Sequence, residues 1–246
     1  MFKYLSVLLL TVIIFYGCDS GEDTSKTEEE FTLVSKRSIN VKEPSDLALS
    51  YDKKSLWTVS DSTGNIYRLS LNGDVEKELA IGGNDPEGIA VINSQVLAVV
   101  FEDKNHIVFY DTSGNKLKTV NIDLGNEIKT GLEGVAYNSS TGHYFLINEK
   151  NPSAIIELDE SFNIINITEP KLTTDLSGIC YEGNENNFWV ISDESKFLGR
   201  FDTSFNLLKS YTTPLAQGEG VAVDYTNKLI YLVSDKDNSF YVYRWK

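Results

Sequence analysis

Acidic residues recur at two fixed places along this chain of 246 residues. One set precedes a glycine and an apolar run: Glu87, Glu133 and Glu219, with Ser45-Asp46 and Ser177 at the matching places. The other set follows a second apolar run: Asp61, Glu102, Glu149, Asp193 and Asp235. Carboxylates gathered within several Å repel one another, and each resists ionisation unless a cation joins them. Hard oxygens with no Cys or His nearby suit Ca2+ rather than zinc. Glu87, Glu133, Glu219, Glu149, Asp193 and Asp235 are therefore the metal candidates, with carbonyls and water completing a shell of about 6–8 oxygens. A structural reading of the same residues stays open. Ser-Asp after a strand is ordinary turn chemistry, and a Glu beside a Gly turn can accept backbone N–H bonds. Lys104, Lys150, Lys196 and Lys236 follow the acid in four of the five copies. Beside a cation they would hold an anionic ligand such as a phosphate ester; otherwise they neutralise the adjacent acids.

These residues ride on an internal repeat. Pro44-Ser-Asp-Leu-Ala-Leu49, Pro86-Glu-Gly-Ile-Ala-Val91, Leu132-Glu-Gly-Val-Ala-Tyr137, Leu176-Ser-Gly-Ile-Cys-Tyr181 and Gly218-Glu-Gly-Val-Ala-Val223 align at steps of 42, 46, 44 and 42 residues. A second run follows in each copy, such as Leu56-Trp-Thr-Val59, then a third, such as Asn65-Ile-Tyr-Arg-Leu69, and after a tight turn a fourth, such as Lys116-Leu-Lys-Thr-Val120. Val, Ile, Tyr and Phe dominate these runs, and turn signals return every 8–12 residues or so. Four strands at a period near 44 predict an all-β, five-bladed β-propeller of four-stranded blades. The fifth copy ends one strand short. Phe31 to Asn40 aligns with the fourth strands, so the last blade is expected to be closed by this N-terminal strand, leaving no open edge. In such a ring, the loop into the first strand and the loop after the second open on one face, so all eight acids should meet at one rim of the channel.

Ahead of the repeats lies an address label. Residues 1–17 carry Lys3 and the apolar run Val7 to Tyr16, shorter than the 20 or so residues that cross a bilayer. They read as a secretory signal. Phe15-Tyr-Gly-Cys18 is similar to a bacterial lipobox, in which Cys18 becomes the lipidated first residue. Residues 18–30 then form an acidic tether, and 31–246 the propeller. Asp19 to Glu30 holds six acids and one Lys and no apolar residue; as a flexible chain its twelve residues reach about 17–20 Å. The expected location is the cell envelope, anchored to a bacterial membrane by lipid, as a monomer.

Glu43-Pro-Ser-Asp-Leu-Ala, Val59-Ser-Asp-Ser-Thr-Gly, Asp85-Pro-Glu-Gly-Ile-Ala, Gly131-Leu-Glu-Gly-Val-Ala-Tyr, Asn148-Glu-Lys-Asn-Pro, Asp175-Leu-Ser-Gly-Ile and Ile191-Ser-Asp-Glu-Ser together resemble the SdiA-regulated (YjiK-like) family of bacterial β-propeller proteins. The resemblance runs from about Val41 to the C-terminus. It implies an envelope protein whose propeller binds calcium at a shared site, with distant similarity to calcium-dependent phytases and lactonases. Carried over, it supports Glu87, Glu133, Glu149 and Glu219 as ligands. Asp46, where the other copies have Gly, departs from the pattern.

Composition removes other classes. With 22 Lys+Arg against 36 Asp+Glu the formal charge is −14, which repels a polyanion, so no nucleic acid is expected as partner. Losing residues 1–17 leaves Cys180 as the sole thiol beside the lipidated Cys18, so no internal disulfide forms. Cys180 fills the slot of Ala48, Ala90, Ala136 and Ala222 and reads as buried packing. His106 opens a third strand and His143 sits in a turn. Gly82-Gly-Asn-Asp-Pro86 reads as an interblade loop, and Asp111-Thr-Ser-Gly-Asn115 as a hairpin turn repeated at Asp159 and Asp202. The leading functional reading is a calcium-binding module that takes an unidentified small molecule or protein on its acidic rim. The alternative is a calcium-dependent hydrolase of a phosphate ester or lactone.

Overall fold

The computed structural model describes residues 30–246 apart from positions 103, 126, 127, 129 and 130. The secretory signal, Cys18 and residues 19–29 of the tether lie outside the described residues. All the described regular structure is β-strand. The chain enters on β1 (Phe31–Ser38). Blade one follows as β2 (Pro44–Leu49), β3 (Ser55–Ser60), β4 (Asn65–Ser70) and β5 (Val75–Leu79), and blade two as β6 (Pro86–Val91), β7 (Val96–Phe101), β8 (Lys104–Asp111) and β9 (Lys116–Asn121). Blade three is β10 (Leu132–Asn138), β11 (His143–Asn148), β12 (Ala154–Leu158) and β13 (Ile164–Thr168). Blade four is β14 (Gly178–Glu182), β15 (Asn187–Ser192), β16 (Phe197–Phe201) and β17 (Leu207–Thr212), and blade five β18 (Gly218–Asp224), β19 (Leu229–Ser234) and β20 (Ser239–Trp245). Each blade is an antiparallel meander, innermost strand first.

The fifth blade takes its outer strand from the N-terminus, in the order β18-β19-β20-β1. β1 runs antiparallel to β20 from Phe31↔Trp245 to Ser38↔Ser239, with one bulge near Val34. Phe31 stacks between Tyr211 and Tyr243 at centroid distances of 4.7 and 4.3 Å. It thereby ties the closing strand to blades four and five. Phe31→Ala removes both stacks and should cost about 2 kcal/mol, a fall in melting temperature of about 4–8 °C by calorimetry; an unchanged melting temperature would mean that β1 does not hold the ring.

There is no single core. Five apolar clusters fill the five gaps between neighbouring blades, and this is why the second strands, covered on both faces, read as continuous apolar runs. The cluster of Leu47, Leu56, Tyr67 and Leu69 with Ala222, Tyr231, Val233 and Phe240 packs blade one against blade five and closes the circle. Innermost strands neighbour one another in the order β2, β6, β10, β14, β18 and back to β2. Outermost strands, by contrast, face water for most of their length.

Glycine is required where the innermost strands converge. A Cβ on Gly88 would lie 2.6 Å from the Gly134 Cα, and one on Gly220 2.6 Å from the backbone of Asp46 and Leu47. Asp46 occupies the equivalent place in blade one and is fully buried. Its carboxylate accepts N–H bonds from Leu47 (2.8 Å) and from Ile89 of the next blade (2.9 Å), so the departure from Gly is a strap between blades.

Several smaller expectations are met and three are revised. Asp111, Asp159 and Asp202 each accept two backbone N–H bonds in identical hairpin turns, and each has its pKa lowered by its Asn partner. Cys180 lines the channel, a cavity of about 90 Å³, instead of being wholly packed away. His143 opens β11, with Nδ1 2.8 Å from Glu157, so it is not a turn residue. β8 starts at Lys104, two residues before His106, because the ladder with β7 extends to a Phe101↔Lys104 pair.

Candidate metal centre at one mouth of the channel

The register of the innermost strands aims the first set of acids. Pairing of β2 with β3, β6 with β7, β10 with β11 and β18 with β19 shifts around Ser45, Glu87, Glu133 and Glu219 respectively. A bulge leaves one residue unpaired and re-aims its side chain. Here it turns each Glu out of the blade and into the mouth. In blade four the strand begins at Gly178, just past Ser177, whose N–H is bound by Ile191 at 3.0 Å.

Asp61, Glu102, Glu149, Asp193 and Asp235 are each the first residue after a second strand. One backbone bond recurs there. Asp61 N–H donates to the Glu43 carbonyl (3.3 Å), Glu102 to Asp85 (3.1 Å) and Asp235 to Gln217 (3.1 Å). The accepting residues Glu43, Asp85 and Gln217 all have positive φ, at 44°, 60° and 49°. For Glu43 and Asp85, which each precede a proline, that conformation is doubly disfavoured and marks stored strain. In blade four the Asp175 side chain replaces the carbonyl and accepts the Asp193 N–H at 2.9 Å. Asp175 is buried and also accepts from Ser177, Ser192 and Glu194; it is a structural acid.

Electrostatic neighbours trace the ring. Burial pushes Glu87 up to about 9, with Glu133 and Asp61 adding repulsion, while the Ser45 hydroxyl pulls the other way. Glu133 is pushed up to about 8 by burial, then by Glu102, Glu149 and Glu219. Glu219 reaches about 8 through burial, then Asp193 and Asp235. Asp61 is raised to about 7, first by burial and then by the neighbouring Glu43 carboxyl. The second-strand acids thus face the bulge-borne Glu from blade to blade around one opening.

Among the described residues, one gathering of three carboxylates lies between blades one and two. Carboxylate oxygens of Asp61, Asp85 and Glu87 lie within 4.8 Å of one another. The Oδ1 atom of Asp61 is closed off from solvent and has no hydrogen-bond partner. A buried carboxylate oxygen without a donor costs about 1–3 kcal/mol or more. Protonation or a cation relieves that cost, and three hard oxygens fit the chemistry of Ca2+.

A model of the SdiA-regulated family matches residues 23–244. The chain belongs to the SdiA-regulated family. Its fold is also similar to the crystal structure of Myxococcus xanthus glutaminyl cyclase, with a TM-score of 0.70 over 87% of this chain and 95% of that one. At 12% identity the likeness shows the propeller architecture alone.

In this SdiA-regulated chain the six residues singled out as metal candidates have separate surroundings. Glu87 belongs to the three-carboxylate gathering. Glu133 and Glu219 stand further round the mouth, largely buried. Glu149 pairs with Lys150 at 2.6 Å. Asp193 accepts from Lys196 at 2.6 Å and from the Gly218 N–H at 3.1 Å. Asp235 accepts from Gln217 at 3.3 Å. The lysines do not converge on one point. Lys150 bridges Glu149 and Glu194 (2.9 Å), and these partners raise its pKa; Lys196 holds Asp193; Lys236 is exposed; and Lys104 lies in a groove between blades one and two. Asp85 and Glu43 escaped the sequence reading. Their signal was there: the position two before Ser45, Glu87, Glu133, Ser177 and Glu219 is Glu43, Asp85, Gly131, Asp175 and Gln217, acidic in three blades.

Proposed function

We propose that this protein is a lipid-anchored envelope propeller that binds calcium where Asp61, Asp85 and Glu87 meet, and through that ion takes a ligand or partner. The reading rests on the Asp61 Oδ1 atom, a buried carboxylate oxygen with no donor beside two further carboxylates. Backbone carbonyls and water would complete the ion's shell. The anchor reading rests on Gly17-Cys18 and the acidic tether after it. β1 runs from Phe31, opposite Trp245, towards Ser38, opposite Ser239, which itself pairs with Ser234 next to Asp235. The tether therefore joins the domain on the face away from the acids, and a lipid on Cys18 would present the mouth away from the membrane.

Titrating calcium into metal-stripped protein should release heat and raise the melting temperature, since a ligand of the native state stabilises it. The absence of both heat and a shift would overturn the proposal. Asp61→Asn keeps the shape and removes the charge, and should weaken calcium about 10–100-fold in the same titration.

A hydrolase of phosphate esters or lactones is the second reading. It is favoured by Glu133, whose carboxyl, raised to about 8, is suited to proton transfer near neutrality. Phosphomonoesters and lactones screened with and without EDTA separate the two, and Glu133→Gln should abolish turnover if this reading holds.

A further inference from the structure

Every outermost strand carries a bulge of its own, near the end of the blade away from the acids. Pairing with the third strand skips Glu76 in β5, Leu117 in β9, Ile165 in β13, Leu208 in β17 and Val34 in β1. A bulge leaves one residue outside the ladder and re-aims its side chain. Sheet edges are commonly guarded by a charge at such a place, and Glu76, paired with Arg68 at 3.3 Å, fits that rule. The other four are aliphatic and about half exposed: Leu117 53%, Ile165 50%, Leu208 51% and Val34 49%. Two of them, on β1 and β17, flank one place, the root of the tether. Phe31 stacks on Tyr211 of β17 at 4.7 Å, and Glu30 pairs with Lys209, so the start of β1 is tied to β17. Beside Val34, Leu33 is 53% exposed, and beside Leu208, Leu207 is 39% exposed. Single exposed aliphatic side chains are ordinary, but four together at one point mark a contact surface.

We infer that Leu33, Val34, Leu207 and Leu208 rest on the bilayer surface, so that the propeller leans on blades four and five instead of swinging freely on its tether. The inference rests on the lipid-anchored reading. Twelve residues, Asp19 to Glu30, separate the patch from Cys18, a reach of about 17–20 Å. A lipid on Cys18 therefore keeps the patch beside the membrane at high effective concentration, and a contact too weak to hold a free protein suffices. The side chains need to sink only about 5–10 Å, to the boundary of headgroups and acyl chains. A bilayer fits this place better than a second copy of the chain. Antiparallel pairing of such an edge with its own copy would turn one propeller over and point the two tethers in opposite directions. Leaning on blades four and five also lifts the opposite side of the ring, where Asp61, Asp85 and Glu87 gather between blades one and two.

The test places the full lipidated chain on phosphatidylcholine vesicles, plain or brominated on the acyl chains, and reads tryptophan fluorescence. Trp57, Trp189 and Trp245 are buried, so the parent sets the background. Val34→Trp and Leu208→Trp are made separately, so that one serves if the other fails to fold. Each should lose about half or more of its added emission on brominated vesicles. Leu117→Trp, the equivalent bulge of blade two at matching exposure, should lose less than about a tenth, because that blade stands across the ring from the tether root. If the protein floats with the vesicles and neither Val34→Trp nor Leu208→Trp is quenched, the patch does not touch lipid; the inference falls and the anchor stands. Equal quenching of all three variants overturns the lean. A blue shift at Val34→Trp or Leu208→Trp without quenching means that protein covers the patch, and also overturns the inference. If the chain does not float, the anchor reading and the inference fall together.

Discussion

Metal-stripped protein should lose stability steadily as the pH rises from about 5 to 9, and saturating calcium should remove the part of that loss that comes from Glu87. Glu87, Glu133 and Glu219 have folded-state pKa values near 9, 8 and 8, against an ordinary value of 4.5. Below pH 4.5 or so both folded and unfolded chains carry the protons, and burial of the neutral carboxyls costs little. Above it the unfolded chain ionises first, so the native state binds more protons and stability must fall with pH. The fall ends once the folded groups ionise, near pH 9. Each group contributes about 1.4 kcal/mol per pH unit while its two states differ. For a domain of this size a kilocalorie moves the melting temperature about 2–4 °C, so a drop of about 10 °C or more is expected by scanning calorimetry. Calcium held by Asp61, Asp85 and Glu87 displaces the Glu87 proton and supplies positive charge there, so the loaded protein should lose the Glu87 share of the fall and keep the part due to Glu133 and Glu219. Parallel profiles with and without calcium would place the ion elsewhere, or nowhere.

Gly220→Ala should be severely damaging to this fold. The new Cβ would sit 2.6 Å from backbone atoms of Asp46 and Leu47, where no side chain can swing aside. Blade five and blade one would have to separate, opening the apolar seam that closes the ring. A loss of about 3 kcal/mol or more follows, read as a fall in melting temperature or as insoluble protein. Gly88→Ala should behave alike, against the Gly134 backbone. Gly183→Ala, whose Cβ would meet only the Tyr181 ring edge at 3.5 Å, should change stability by less than about 0.5 kcal/mol. Equal tolerance at Gly220 and Gly183 would mean that the innermost strands are less closely set than described.

The repeat was readable because its causes are local. Strand propensity, turn residues and the Glu-Gly step each act within a few residues, and five aligned copies reinforce one another. Even the closing strand could be placed, since one unpaired run at the N-terminus matched one vacancy at the C-terminus. Site residues were only partly readable. Alignment found Glu87 and Asp61 as members of two acidic sets, yet it passed over Asp85, because an acid before proline in a Gly-rich loop looks like connection and no more. What brings Asp85 in is its positive φ, a backbone state that single-sequence patterning does not report. The lysine reading illustrates the same limit from the other side. Lys150 and Lys196 stand at matching places, but each closes on an acid of its own loop.

The chain's own order of residues was enough to determine the strand order, the number of blades, the edge that closes them and the mouth at which acids gather, because each follows from short-range pattern repeated at a fixed interval. Only the tertiary structure decided which carboxylates lie within reach of a single ion and which are answered by a neighbour. That choice depends on distances between blades and on the twist of each entering loop, and five near-identical copies of a motif are blind to both.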